Sequence, residues 1–231
     1  MRGLSLVFGA ILLMVLAGCA AQSGQEPRSA MEQGPDRPVE CGPELEGDAA
    51  MHFDLIEEMA DQGRNRAVLA HLDALESIQV TVPAEVKLLR AHAHRRLGEG
   101  EAARALYEGL SEGCMPGEGL RGLGLLAAEG NDLKQAITQF RKALEHRPVD
   151  ARLRNDLGYA FMLKGEYDSA RQEHETAREL GGGGRTVSNL VLLALREGDY
   201  EQARALAEQA GMEPEEWQSL GREAQRWNQT Q

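Results

Sequence analysis

Residues 130–148 read GNDLKQAITQFRKALEHRP, and the spacing within this stretch decides the fold. Ala136, Phe140 and Ala143 follow one another at steps of four and three, the period of one helix face. The proline at 148 cannot continue a helix and closes the segment. The stretch has counterparts downstream in GEYDSARQEHETARELGG (165–182) and GDYEQARALAEQAG (198–211), and upstream in GEGEAARALYEGL (98–110). Aligning them sets Ala103, Ala136, Ala170 and Ala203 in register, at steps of 33, 34 and 33 residues. From Leu45 onward there is no alternating strand pattern and no Asn-Gly hairpin signal. The expected fold class is therefore all-α, built from repeated helix pairs.

The period and the residue types resemble the tetratricopeptide repeat. Ala136, Phe140, Ala143 and Pro148 occupy the second-helix positions of that pattern. Leu123-Gly124 and Leu157-Gly158 occupy the leucine–small pair of the first helix. Small residues let paired helices approach at the short end of the usual 8–10 Å. The resemblance implies a solenoid of antiparallel helix pairs over residues 83–211, with units at about 84–116, 117–150, 151–183 and 184–211. Residues 45–82 read as a degenerate N-terminal helix pair, and 212–231 as a C-terminal capping helix opened by Pro214. Terminal units of such arrays are atypical because they end the stack. Trp217, Leu220, Ala224 and Trp227 share one stripe of the last helix. That stripe either covers the open end of the array or forms a partner-binding face. Where the third unit should carry its proline, Gly181 to Gly184 stand instead, so a looser joint is expected there. A phosphate cradle is excluded at these glycines, since no G-K-[ST] follows and no strand precedes.

The chain starts with Arg2 and a 14-residue uncharged run, Leu4 to Ala17. This is too short to span a bilayer, which takes roughly 20 apolar residues, and it reads as a secretory signal peptide over 1–18. Leu16-Ala17-Gly18-Cys19 resembles the bacterial lipobox. The resemblance implies cleavage after Gly18 and lipidation of Cys19; an ordinary signal peptide with an incidental cysteine is the alternative. Ala20 after the cysteine favours, by the same resemblance, a periplasm-facing place on the outer membrane. Residues 19–44 are rich in Gly, Pro, Gln, Ser and Glu and read as a flexible tether. The net charge is −12, and removing Arg2 with the leader makes the chain more acidic still. Such a body does not track a phosphate backbone, so no nucleic-acid partner is expected. Cys41 and Cys114 are the remaining cysteines. An oxidising compartment permits them to pair, and two free thiols are the alternative.

No catalytic set is present: there is no H-E-x-x-H, no G-x-S-x-G and no spaced Cys/His signature. His92 and His94 are two apart, so on a helix they point to different faces and make a poor metal pair. His174 stands where the repeat prefers an aromatic and reads as a packing residue. Neither catalysis, a metal nor another cofactor is expected; protein binding is. In a tetratricopeptide stack the first helices line the concave side. Carrying the repeat frame over assigns a peptide-binding groove to Arg121, Leu125, Arg152, Asn155, Tyr159, Met162, Arg185 and Leu192, flanked by His92, Arg95, Ala128, Ser188 and Leu195. Arginines beside apolar groups suit a peptide with some negative charge. The other reading is that they pair with neighbouring acids such as Asp156 and Glu118.

The lipobox, the tether, the repeats and the stretch NDLGYAFMLKGEYDSARQEHETARELGGGGRTVSNLVLLALREGDYEQARAL (155–206) together resemble the TadD-type lipoproteins of tight-adherence (Flp) pilus systems. That resemblance implies a non-catalytic outer-membrane scaffold for pilus assembly, with a secretin or another component of the pilus machine as protein partner. A periplasmic adaptor for cell-wall enzymes, or an outer-membrane protein assembly factor, is the alternative.

Overall fold

The structure, a computed structural model, describes residues 41–79 and 81–228; the leader, Cys19 and residues 20–40 of the tether lie outside them. All described residues belong to one unit, residues 37–231. They form eleven α-helices and no strand. These are α1 (Gly47–Asp61), α2 (Asn65–Ile78), α3 (Ala84–Arg96), α4 (Gly100–Glu112), α5 (Pro116–Glu129), α6 (Leu133–His146), α7 (Ala151–Lys164), α8 (Tyr167–Glu179), α9 (Gly184–Glu197), α10 (Tyr200–Gln209) and α11 (Pro214–Asn228). Each helix from α1 to α9 packs on the next, giving five successive pairs in a solenoid, with α11 after the last.

Local signals start and stop these helices. Asp132, Asp150 and Asp199 cap α6, α7 and α10, each accepting from the backbone N–H three residues on, which satisfies one of the donors a helix start leaves open. The turn inside each pair holds a left-handed residue, in order Gly63, Gly98, Asn131, Gly165 and Gly198. Asparagine is among the few residues that tolerate this conformation. The Gly181–Gly184 run is also ordered. Gly182 N–H donates to Ala177 O at 2.8 Å and Gly181 N–H to Arg178 O at 3.0 Å, a Schellman closure of α8. The expected looser joint is thus a hydrogen-bonded turn.

Ala103, Ala136, Ala170 and Ala203 are all fully buried, as residues between two close helices must be. Four residues after each alanine comes the group that fills the pair's interior: Tyr107, Phe140, His174 and Ala207. A Cβ on Gly124 would lie 2.6 Å from Phe140 Cδ1, and one on Gly158 2.8 Å from His174 Cε1. In the last pair the sizes are exchanged: Val191 stands at the position of Gly124 and Gly158, across from the position of the small Ala207, and both are buried in the same cluster. The apolar core falls into three clusters along the array. One joins α1, α2 and α3. The second lies within α3, α4 and α5, and the third runs from α5 to α11.

Cys41 and Cys114 are joined as a disulfide with Cα atoms 5.4 Å apart. The bridge ties the segment before α1 to the turn between α4 and α5. Among the described residues no helix is long and apolar enough to cross a membrane.

Candidate functional site: the inner face of the odd-numbered helices

Odd-numbered helices touch across neighbouring pairs, α1 with α3 and onward to α9 with α11, whereas no two even-numbered helices pack comparably. The odd helices therefore line the inner side of the array. Polar side chains link them in sequence. Arg95 pairs with Glu129, Arg121 Nε donates to Asp156 Oδ2 at 2.7 Å, Asn189 Nδ2 donates to Asn155 Oδ1 at 3.0 Å, and Ser188 Oγ donates to Glu216 Oε1 at 2.6 Å. Burial raises the pKa of Asp156, against the opposing pull of Arg121.

This ladder sorts the residues assigned to the groove. Arg121 is committed to Asp156, as one of the two readings of the arginines had it; Glu118 pairs with Arg147 instead. Arg152 is exposed and makes no ion pair among the described residues. Arg185 is exposed and near enough to Asp156 to lower its pKa. Asn155 is buried and bridges α7 to α9. Leu125 and Ala128 are half-buried against the core. Met162 and Leu192 are corrections: both are fully buried and line no groove, and the flanking Leu195 is buried with them. Met162 fails because the side chain that reaches the surface at the end of α7 is Leu163, one residue later. Leu192 stands at the register position of Leu125 and Tyr159, but it lies on α9, against which α11 packs, and is enclosed in the shared cluster.

Tyr159 and Leu163, with Glu223, Arg226 and Trp227 of α11, line an open cleft of about 260 Å³. Desolvation first, then the Glu223 carboxylate, raises the Tyr159 pKa, while Arg196 opposes. Arg196 is buried to 8% exposure. Its guanidinium carbon lies 3.5 Å from the Trp227 ring centre, and its Nη2 donates to the Tyr167 hydroxyl at 2.8 Å. The groove assignment missed Leu163, Arg196, Glu223 and Arg226. No sequence signal marked Arg196: in the repeat register it stands with Arg96, Glu129 and Leu163, a position of mixed character. The stripe of α11 faces the array, with Leu220 and Ala224 buried and both tryptophans packed against the core.

His92 and His94 are engaged separately. His92 is held neutral by burial and by Arg121, Arg95 and Arg96, with its pKa lowered to about 3, and its Nδ1 shares a hydrogen bond with the Tyr107 hydroxyl at 2.6 Å. His94 Nδ1 lies 2.5 Å from Glu99 Oε2. Among the described residues no cluster of three or more His, Cys, Asp or Glu side chains is arranged to hold a metal ion.

Stacked helix pairs with a polar inner face define a helical-repeat scaffold. Residues 121–184 match the tetratricopeptide repeat family. The chain is 34% identical over 214 residues to the TPR repeat-containing protein PA4299 of Pseudomonas aeruginosa, covering 92% of this chain and 81% of that one. Among solved structures it is similar to TTC0263, a thermophilic TPR protein of Thermus thermophilus, with a TM-score of 0.65 at 20% identity over 77% of this chain and 97% of that chain. It is also similar to a chain of the APC/C hetero-tetramer Cut9–Hcn1, with a TM-score of 0.61 at 17% identity over 76% of this chain and 36% of that chain. The chain belongs to the tetratricopeptide repeat family. Proteins of this family are generally non-catalytic scaffolds that bind other proteins.

Proposed function

We propose that this chain is a lipid-anchored, periplasm-facing outer-membrane scaffold of Flp pilus assembly, which helps the secretin assemble by holding one of its peptide segments on the inner face. The observation that carries the binding reading is the contrast along that face. Arg95 and Arg121 are spent on Glu129 and Asp156, whereas Arg152 stays exposed and Tyr159 stands at an open cleft. Arg152 is free to fork onto a carboxylate, and Tyr159 offers a large, fairly rigid contact. The Leu16–Cys19 motif and the Cys41–Cys114 bridge both fit an oxidising, extracytoplasmic compartment.

Truncating an anchor side chain costs about 2 kcal/mol or more, roughly thirtyfold in affinity. The double change Arg152→Ala, Tyr159→Ala is expected to abolish co-purification of the secretin and its SDS-resistant multimer, with helical content and membrane fractionation unchanged. Cys19→Ser is expected to release a folded chain from the outer membrane. Wild-type secretin capture by the folded, membrane-bound double variant would remove the inner face from consideration. Membrane retention of Cys19→Ser would remove the lipid anchor.

A further inference from the structure

The last helix does not continue the stack. Each first helix from α3 to α9 packs on the second helix of the pair before it, but α11 packs on α9 and not comparably on α10. Near its start, Glu216 accepts from Ser188 of α9. Near its end, Trp227 comes within 6.4 Å, ring centre to ring centre, of Tyr159 on α7. Helix α11 thus leans over the inner face of the last two pairs, on the surface that the proposed function gives to a partner.

The contact leaves chemistry unmet. Arg196 is more than nine-tenths buried, and of its nitrogens Nη2 is bonded to Tyr167 while Nε and Nη1 have no hydrogen-bond partner. The Trp227 ring lies over the guanidinium. An aromatic face attracts the charge but does not supply the in-plane acceptors that a guanidinium fork matches, as a carboxylate would. The helix above carries a carboxylate, Glu223, one turn before Trp227, and both line the cleft beside Tyr159 and Leu163.

We propose that Tyr159, Leu163 and Arg196 form a binding site for a helical partner segment that carries an aromatic residue one turn after a carboxylate, and that α11 occupies this site in the free protein. The inference rests on the inner face being the partner surface and names the chemistry of the segment it takes. The aromatic residue replaces Trp227 and the carboxylate reaches the open donors of Arg196. When α11 lifts, its own Glu223 leaves with it, so the exposed surface is cationic and apolar.

The test uses the detergent-solubilised full chain and a labelled synthetic peptide of residues 214–228, followed by fluorescence anisotropy. The protein's own helix competes at an effective concentration on the order of millimolar. The peptide is therefore expected to bind Trp227→Ala at least roughly tenfold more tightly than wild type. Ser188→Ala, which frees the other end of α11 without touching the site, shifts affinity in the same direction and guards against misfolding of the first variant. Replacing the peptide tryptophan that corresponds to Trp227 by alanine, or adding Arg196→Lys to the Trp227→Ala chain, abolishes the gain. Equal binding by wild type and both variants, indifference to the peptide tryptophan, or dimerisation of Trp227→Ala through its own helix would each overturn the proposal. No pilus component enters this assay, so its failure is separable from failure of the secretin reading.

Discussion

His174 is fully buried, yet neither ring nitrogen has a hydrogen-bond partner. It occupies the position of Tyr107 and Phe140, so the repeat register alone identifies it as a packing residue. What the register does not reveal is that its nitrogens go unpartnered, because that depends on groups brought in from α7 and α9. Burial lowers its pKa to about 4, so it is neutral when folded and titrates near 6.5 when unfolded. In that interval the unfolded chain binds the extra proton, and stability falls as pH drops from about 6.5 toward 4, by ~1.4 kcal/mol per pH unit for this one group. His174→Phe is expected to act in two ways. It removes two unmet polar atoms from a site that accepts a phenyl ring in the preceding pair, stabilising the chain at pH 7 by about 1 kcal/mol, or roughly 2–4 °C in melting temperature. It also removes one proton from the acid sensitivity, so between pH 7 and 5 the variant loses roughly 2 kcal/mol less than wild type. Urea midpoints at the two pH values check both. Parallel losses in variant and wild type would mean that His174 is protonated in the folded state.

Helix α5 carries four glycines in 14 residues, a composition that lowers its intrinsic stability by about 1 kcal/mol per glycine relative to alanine. Packing explains them. A Cβ on Gly119 would lie 2.6 Å from Tyr107 O and 2.7 Å from Ser111 Cα, one on Gly122 would enter the Tyr107 ring, and one on Gly124 would meet Phe140. The sequence showed Gly124 and Gly158 as small residues facing a pair's interior, because the Leu-Gly dipeptide recurs. It did not show Gly119 against the backbone of α4, since that approach depends on how α5 seats on the pair before it. The Met162 and Leu192 errors have a related origin: a repeat frame fixes which residues are equivalent, but not how deeply each unit buries them. Gly119→Ala is expected to destabilise the chain by ~1–3 kcal/mol, even though alanine is the better helix former, because backbone cannot yield as a side chain can. Gly109, exposed in the middle of α4 with nothing within 4 Å of its would-be Cβ, is the control, and Gly109→Ala should stabilise by about 0.5–1 kcal/mol. Denaturant titration of the two variants reads the difference. A stabilising Gly119→Ala would mean that α5 sits farther from α4 than the structure places it.

At the scale of the whole array, stability in a repeat protein is close to a sum of unit and nearest-neighbour terms, and here the core is divided among three clusters. The later units were the more legible in sequence, because their anchoring alanines and rings recur. The first pair, α1 and α2, shows no such register and was readable only as helix periodicity. The Cys41–Cys114 bridge spans 73 residues of sequence and encloses the two N-terminal pairs. The sequence could name the two cysteines but not their approach, which depends on how α1 to α4 stack. Closing a loop of this length stabilises by about 4 kcal/mol on the chain-entropy account, and the benefit belongs to the enclosed segment. Reduction is therefore expected to loosen the array from its N-terminal end rather than to unfold it throughout. Hydrogen exchange under dithiothreitol should show α1 to α4 losing protection by orders of magnitude, while α6 to α9, which share a cluster the bridge does not enclose, keep theirs. The denaturation profile should broaden or split accordingly. Uniform loss of protection along the chain would show one cooperative unit, in which the three clusters are not separable. Unchanged protection everywhere would show that the bridge contributes nothing to holding the first two pairs on the rest.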